Sequence, residues 1–391
     1  MGASSGTALA ALKIGGRVAF ERIARPKARR FEDVPCSPYA ITTEWLTAVL
    51  CGKTPGAAVT HVEVKAASAG THERHQLIVS YNREGQRAGL PTSIFTKSLP
   101  SVVTRMIGGF NGTARAEGNF YTQLRPLLQI EAPLCYHSAY DRRTFAAIHL
   151  LEDMVATKSA TFCNHKTYVT RAMADDMIDL LASLHSRFYG DLTLAERYRW
   201  LASYPRWFTI GSAKMSTEYY TQKAFDAASH LIPAKVLSRR DEVWPATMRA
   251  LAVHESEPQG LIHSDVHIGN WYRTGAGQMG LCDWQCISRG HWSRDFAYAV
   301  TASLTADDRR NWERDLLARY IDRFAEKTGI KPDFDRSFLH YRQQIPHALA
   351  MWTITLCHSR FLPAMQPEAT TLTMIERIAT AMADLDSIDS V

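Results

Sequence analysis

The stretch GLIHSDVHIGNWYRTGAGQMGLCDWQ, residues 260–285, carries the densest group of chemically useful side chains in this sequence. It begins with a short apolar segment, continues into a polar loop and ends in a predicted hairpin whose turn is rich in glycine. His263, Asp265 and Asn270 stand in the spacing H-x-D-x-x-x-x-N, and Asp283 follows the second predicted strand. Such a concentration of acid, amide and imidazole groups in one loop predicts a functional site.

These residue types at this spacing favour phosphoryl transfer, because H-x-D-x-x-x-x-N is also the spacing of the protein kinase catalytic loop. The reaction needs a carboxylate that accepts or orients the proton of the attacking hydroxyl, and Asp265 fits this role. It also needs hard oxygen ligands for Mg²⁺ on the phosphates of ATP or GTP, and Asn270 and Asp283 supply them. His263 is a further candidate catalytic residue.

Two other interpretations of the loop stay open at this point. Alternate residues of a strand point the same way, so His263, Asp265 and His267 could converge on zinc, as in a metal-dependent hydrolase. Asp and Asn are also common turn formers, so each could merely shape the loop. The choice depends on whether the upstream chain supplies the other half of a nucleotide site.

Upstream, three strand-like runs predict a sheet that could bind the phosphates. The runs are 61–66, 76–81 and 93–97. Gly70 lies in a small-residue turn between the first two, where backbone N–H groups could approach a phosphate. Lys97 ends the third run and is the expected partner of the α- and β-phosphates. Glu117, on a predicted helix over 114–125, is placed to orient Lys97 through an ion pair.

After the apolar strand at 144–151 we expect the link between two lobes, where backbone groups of Glu152 and Met154 would face an adenine edge. Beyond it the pattern is mostly helical. The segment 195–258 is rich in aromatic residues, as is the part from 290 onward. Most of these side chains should be core, and a few should line an apolar or aromatic acceptor pocket.

In order and spacing, these parts resemble the aminoglycoside phosphotransferase/choline kinase-like family, and within it the ecdysteroid-kinase-like branch. The most specific pieces are HSDVHIGN at 263–270 and LCDW at 281–284. The resemblance implies a bilobal, protein-kinase-like α+β fold with a small β-rich N-lobe and a larger, mostly helical C-lobe. It also implies transfer of the γ-phosphate of ATP or GTP to a small-molecule hydroxyl, with Mg²⁺ as cofactor and Asp295 bracing the catalytic loop. It implies no particular oligomeric state.

We accordingly divide the chain into three parts. Residues 1–34 form a basic, mobile leader, 35–151 the nucleotide-binding N-lobe, and 152–391 the helical C-lobe with the catalytic loop and acceptor pocket. The short interval from Asp283 to Asp295 leaves no room for an ordinary activation segment, which favours a small-molecule acceptor, such as a lipophilic alcohol or an antibiotic, over a protein. A catalytically silent binding module of the same fold is the alternative, although every catalytic position keeps its residue.

Charge and composition argue against several other classes of function. The net charge of +6 lies in residues 1–30, which hold seven basic residues and one acidic residue, so the rest of the chain is neutral and no nucleic-acid partner is expected. No apolar run is long enough to span a bilayer, so no integral membrane segment is expected. The seven cysteines are odd in number and scattered, which fits reduced thiols in a cytoplasmic protein.

Overall fold

The structure is a computed structural model that describes residues 2–69, 73–110, 112–359 and 364–391. The backbone divides into two compact units. Unit 1 comprises Met1–Leu127 and Pro133–Ala160, and unit 2 comprises Leu128–Ala132 and Thr161–Val391. Unit 1 contains the larger sheet and unit 2 contains most of the helices. This arrangement confirms the predicted α+β class, with a small β-rich N-terminal part and a larger, mostly helical C-terminal part.

Unit 1 is built on a five-stranded antiparallel sheet with the strand order β1-β2-β3-β5-β4. The strands are β1 (Val59–Ala69), β2 (Glu73–Tyr81), β3 (Ser93–Ser98), β4 (Cys135–Tyr140) and β5 (Ala147–Glu152). Leu77 and Val79 alternate with more exposed residues along β2 and are buried in one core with Trp45. The run predicted as a strand at 76–81 therefore lies in β2, where burial alternates with a period of two.

Six helices accompany this sheet. They are α1 (Gly2–Ala24), α2 (Thr43–Leu50), α3 (Arg83–Arg87), α4 (Val102–Phe110), α5 (Thr113–Asn119) and α6 (Met154–Lys158). Helix α2 begins where the Thr42 side chain accepts a hydrogen bond from the backbone of Trp45, as expected of an N-cap. After α5 the chain continues through a π-helical turn, Phe120–Leu124, and a short 3₁₀ turn that contains Pro126.

Helix α1 packs against α4, which differs from the expectation of a mobile leader over residues 1–34. Arg105 Nη2 of α4 lies 2.6 Å from Glu21 Oε2 of α1, and both side chains are buried. Ile14 and Val18 are buried as well. Together with Glu21 they follow the i, i+4, i+7 spacing of one helix face. This buried stripe was not recognised in the sequence, because the segment is rich in basic residues. Most of those charged residues lie on the other faces of the helix.

Unit 2 is mainly helical. Its helices are α7 (Arg171–Ser186), α8 (Leu194–Arg197), α9 (Tyr204–Met215), α10 (Thr217–Ala227), α11 (Ala234–Leu237), α12 (Arg240–Arg249), α13 (Ala252–Ser256), α14 (Ser293–Ser303), α15 (Ala306–Thr328), α16 (Phe334–Leu356) and α17 (Glu368–Asp384). Helix α14 is buried along its whole length and packs against α16 and α17. Within the described ranges, no helix combines the length and the hydropathy needed to cross a membrane.

Two small sheets of unit 2 hold the two ends of the loop at 263–270. The strands are β6 (Thr161–Phe162), β7 (Gly260–Ile262), β8 (Trp271–Arg273), β9 (Met279–Leu281) and β10 (Ser288–Gly290). Strand β7 pairs with β10, and β8 pairs with both β6 and β9. Because β7 enters the loop and β8 leaves it, the loop is anchored on both sides by strand pairing.

Candidate active site

In unit 1, Lys97 and Glu117 form a buried ion pair. Lys97 Nζ lies 3.0 Å from Glu117 Oε1 and 2.8 Å from Oε2, and the two side chains are 4% and 1% exposed. Removing either partner would leave an uncompensated buried charge, at a cost of about 3–5 kcal/mol. The carboxylate therefore holds the lysine ammonium in one position at the end of β3.

Gly118 explains how Glu117 comes this close to the sheet. A Cβ atom on Gly118 would lie 2.4 Å from Ser138 Oγ, which real Cβ atoms essentially never show, and 3.0 Å from His149 Cε1, which is tighter than most real contacts. A glycine here lets α5 approach β4 and β5 directly. The sequence analysis did not single out Gly118, although a glycine inside a predicted helix and next to a candidate acid was the available signal.

His149 lies beside Lys97 on the neighbouring strand and is fully buried. Its Nδ1 is 2.9 Å from Ser138 Oγ. Burial, together with the positive charges of Lys97 and His137, lowers the pKa of His149 to about 3. The imidazole is therefore neutral at physiological pH.

We expect protonation of His149 to lower the free energy of unfolding of the protein at acidic pH. Its folded-state pKa lies below the unfolded value of 6.5, so its contribution to stability is complete above pH 6.5 and is lost as the pH falls towards 3. Lowering the pH from 7.5 to 5.5 should thus cost the wild type about 1.4 kcal/mol more than it costs His149→Gln. Urea unfolding at the two pH values measures this difference, with His61→Gln, an exposed histidine of the same sheet, as the control. Equal losses in wild type and His149→Gln would contradict it.

The segment expected to face adenine is partly engaged in internal hydrogen bonds. The Glu152 N–H donates to the Leu134 carbonyl at 2.8 Å, and Glu152 Oε2 accepts from the Leu134 N–H at 3.1 Å. The Met154 carbonyl accepts from the Ala160 N–H at 3.1 Å. A nucleotide at this segment would have to use other backbone groups of Glu152 and Met154. Gly70, the other backbone candidate, lies outside the described residues.

In unit 2, the Asp265 carboxylate is held by two neighbours. Asn270 Nδ2 donates to the Asp265 carbonyl at 2.7 Å and to Oδ2 at 3.2 Å. The Tyr298 hydroxyl lies 3.3 Å from Oδ1 and donates to it. Burial, and then the charge of Asp265, raises the pKa of Tyr298 well above its usual value, so the hydroxyl remains a donor. Tyr298 lies one helical turn after Asp295 on α14 and was not among the predicted site residues.

Asp295 braces the loop, as the family resemblance implied. Its Oδ2 accepts the His263 N–H at 2.6 Å and its Oδ1 accepts the Ser264 N–H at 2.9 Å. His185 Nε2 lies 3.2 Å from Oδ2. Burial alone would raise the pKa of Asp295, but the hydrogen bond and charge of His185 and the nearby cationic groups hold it below its usual value. The ionised carboxylate fixes the backbone at Ser264, where φ is +68°.

His263 uses both ring nitrogens to position the loop. Its Nδ1 accepts from the Asp265 N–H at 3.2 Å, and its Nε2 donates to the Cys282 carbonyl at 3.0 Å. Burial lowers the pKa of His263, which favours this neutral form. The zinc interpretation is therefore wrong: His263 has no nitrogen left for a metal, and in the described part of the chain His263, Asp265 and His267 do not form a converging ligand group.

A hairpin brings Asn270 and Asp283 to the same end of β8 and β9. Trp271 pairs with Leu281, and the Cys282 N–H donates to the Asn270 carbonyl at 2.9 Å. Asp283 follows directly, with the left-handed φ of +63°. Few residues other than glycine adopt this conformation, and Asp is among those that tolerate it. The Asn270 amide nitrogen binds Asp265, so its amide oxygen is not used in that contact; amide and carboxylate oxygens are the kind of hard donors that suit Mg²⁺.

Aromatic side chains pack near Asp265, whose Oδ2 lies 3.9 Å from His267 Nε2. The His267 ring lies 5.1 Å from the Trp352 ring and 6.2 Å from the Tyr298 ring, measured between centroids. Arg294 Cζ lies 4.5 Å from the Tyr298 ring centroid, and its Nη2 donates to the Ser264 carbonyl at 3.3 Å. These groups pack around the loop at the N-terminal part of α14 and the C-terminal part of α16.

Comparison with known families identifies the class of protein. A family model described as APH, phosphotransferase enzyme family, matches residues 104–336. This range is more than half of the 391-residue chain and includes Glu117, the loop at 263–270, Asp283 and Asp295. The chain belongs to this phosphotransferase family, and its fold is the protein-kinase-like fold that the resemblance implied.

Several solved structures of low sequence identity resemble the chain. They include the ethanolamine kinase of Plasmodium vivax, with 12% identity and a TM-score of 0.44 over 84% of this chain and 83% of that one. The choline kinase LicA from Streptococcus pneumoniae has 13% identity and a TM-score of 0.45 over 83% and 95%. An aminoglycoside phosphotransferase from Alicyclobacillus acidocaldarius has 14% identity and a TM-score of 0.46 over 87% and 94%. Curated protein sequences gave no match.

Proposed function

We propose that this phosphotransferase is a small-molecule kinase that transfers the γ-phosphate of ATP or GTP to an alcohol. Asp265 is the catalytic base that accepts the proton of the attacking hydroxyl. Lys97, held by Glu117, contacts the nucleotide phosphates. Asn270 and Asp283 are the Mg²⁺ ligands. Catalysis then comes mainly from positioning and charge neutralisation, as in other phosphoryl transfers.

One observation carries this proposal: the Asp265 carboxylate is fixed from both sides on a braced loop. Asn270 and Tyr298 hold the carboxylate, and Asp295 holds the backbone that precedes it. A side chain that only shapes a turn would need none of these contacts from distant parts of the chain. A general base does need them, because it must meet a proton at hydrogen-bond distance.

The residues present also fit Mg²⁺. An amide oxygen and a carboxylate at one end of a hairpin are hard ligands, and this cation keeps waters and phosphate oxygens for its other positions. When bound, it would supply charge neutralisation on the β- and γ-phosphates. The chain's own part is to hold Asn270 through Asp265 and to present Asp283 through its left-handed backbone.

We further propose that the acceptor is a small lipophilic alcohol, because the body of the chain is neutral and the segment 195–258 is rich in aromatic residues. The buried Tyr298 and His267 side chains lie next to Asp265, and Trp352 packs edge to face against His267, so the surroundings of the candidate base are aromatic. Outside residues 1–30 the chain has no net charge, which disfavours a polycationic antibiotic and a nucleic acid. The odd number of scattered cysteines supports a cytoplasmic location.

The experiment that tests the function is an acceptor screen. Hydroxylated metabolites, steroid-like alcohols and antibiotics are incubated with the protein, Mg²⁺ and either ATP or GTP, and acceptor-dependent release of nucleoside diphosphate is measured. Mass spectrometry of the acceptor should show the added phosphate. Tight nucleotide binding without transfer to any member of a broad panel would instead favour a catalytically silent binding module.

Asp283→Ala should remove most of the Mg²⁺ dependence of nucleotide binding, because it deletes the carboxylate ligand. Titration calorimetry of ATP with and without Mg²⁺ should show a large difference for the wild type and a small one for the variant. Glu326→Ala, an exposed acid on α15, is the matched control and should behave as the wild type does. An unchanged Mg²⁺ effect in Asp283→Ala would remove this residue from the metal site.

A further inference from the structure

Glu257, His291 and His340 of unit 2 form a second cluster of metal-binding side chains. Their ligand atoms all lie within 4.8 Å of one another, and His340 Nε2 is 3.7 Å from Glu257 Oε1. The His291 and His340 rings meet edge to face, with centroids 5.0 Å apart. We propose that these three residues bind a zinc ion whose fourth ligand is water.

The three ligands come from different elements. Glu257 follows α13, His291 precedes α14, and His340 lies on α16. Two imidazoles and one carboxylate form a ligand set that zinc takes in proteins, with water in the fourth position. His291 is 2% exposed, whereas the Glu257 and His340 side chains are 12% and 10% exposed, so the site is enclosed but open to solvent at one edge.

The second nitrogen of His291 supports this assignment. Its Nδ1 lies 2.8 Å from Ser293 Oγ, a contact that fixes the ring and directs Nε2 to the cluster. Metal-bound histidines usually have such a partner on the other ring nitrogen, because it sets the tautomer and the ring orientation. The backbone N–H of His291 donates to His254 Nδ1 at 2.9 Å, which fixes the main chain at the same point.

Zinc binding needs only a small contraction of the cluster. Bonds of about 2.0–2.1 Å in a tetrahedral site place ligand atoms roughly 3.3 Å apart, so the ligand atoms, now within 4.8 Å of one another, must approach by at most about 1.5 Å. Arg336 also contacts Glu257 Oε1, but its side chain is 64% exposed and can turn away. In the absence of zinc this cation balances the carboxylate, and it competes with the ion.

A zinc ion at this site would restrain the packing of the elements that supply its ligands. An ion there would tie the end of α13 and the start of α14 to α16. His291 lies about one helical turn before Asp295. The ion would therefore also fix the start of α14, the helix whose Asp295 braces the loop at 263–270. The proposal does not depend on the kinase function, since the ligands are separate from Asp265, Asn270 and Asp283.

The test uses the full chain, stripped of metal with a chelator and dialysed. Added zinc chloride should bind at one equivalent per chain and raise Tm by a few °C, roughly, at saturating metal. Cobalt(II) in its place should give visible d–d absorption typical of a tetrahedral nitrogen and oxygen site. A strong thiolate-to-cobalt charge-transfer band would show that cysteines bind the metal instead, and would overturn the proposal.

Variants separate this site from other metal binding. His340→Ala and Glu257→Gln should each abolish the zinc-dependent rise in Tm and the cobalt spectrum. His230→Ala, an exposed histidine, should retain both, and Arg336→Ala should bind zinc at least as tightly as the wild type. If His340→Ala does not fold, the isosteric variant Glu257→Gln is used to test whether the site binds zinc. Retention of the stoichiometric zinc in Glu257→Gln, or its absence from the wild type, would refute the site.

Discussion

Asp265→Asn is expected to reduce turnover by about 10³-fold or more while nucleotide binding changes by only a few fold. The amide cannot accept the proton of the attacking hydroxyl, but it has the same shape as the carboxylate. The loop should keep its form, because Asn270 also binds the backbone carbonyl of Asp265, which the substitution does not alter. Steady-state kinetics with an identified acceptor and calorimetry with ATP measure the two effects.

The control for this variant is Asp322→Asn, at a residue 62% exposed on α15, which should have the turnover of the wild type. Circular dichroism and Tm verify that Asp265→Asn is folded. If the variant keeps turnover within tenfold of the wild type, Asp265 is not the base. A loss of nucleotide binding equal to the loss of turnover would indicate a disrupted loop and not a missing proton acceptor.

Asp295→Asn is expected to be the most destabilising single conservative change in the loop region, at about 3 kcal/mol or more. Both carboxylate oxygens accept a backbone N–H, from His263 and from Ser264. An asparagine has one oxygen, so its amide group must face one of these donors without a hydrogen bond. Urea unfolding of the variant measures the loss, and turnover should fall with it because the loop loses its support.

Asp295→Asn should also change the acid response. The pKa of Asp295 is lower in the folded protein, so its stabilisation is present above the usual carboxyl range and is lost as the pH falls through the folded-state pKa. The neutral asparagine has no such dependence. Asp315→Asn, at a residue 72% exposed, should cost less than about 1 kcal/mol and is the matched control. A similar small cost for Asp295→Asn would show that the loop does not depend on this brace.

Local patterns predicted the framework of both parts of the candidate site. The runs of apolar and β-branched residues at 76–81 and 93–97 located β2 and β3, and therefore Lys97 near the end of a strand. The helical stripe around Glu117 indicated that this acid could meet the lysine, and the structure places them 2.8 Å apart. The glycine-rich turn likewise located the hairpin that carries Asp283. Each of these features depends on residues that are near one another in the chain.

The features that the sequence analysis missed depend on residues far apart in the chain. Tyr298 meets Asp265 across 33 positions, and no spacing rule reveals such a contact. Gly118 matters because of Ser138 and His149, which come from strands that only the fold brings beneath α5. The assignment of Glu152 to nucleotide binding likewise missed its hydrogen bonds to Leu134, a residue on an adjacent segment.

The contact between α1 and α4 has a practical consequence for anyone who shortens this protein. Arg105 is fully buried, and the carboxylate that lies against it belongs to Glu21. Deleting the first 24 residues as a dispensable basic tail would remove this carboxylate and the buried face of α1, and would leave Arg105 without its ion-pair partner. Shortened versions of the protein should therefore retain α1.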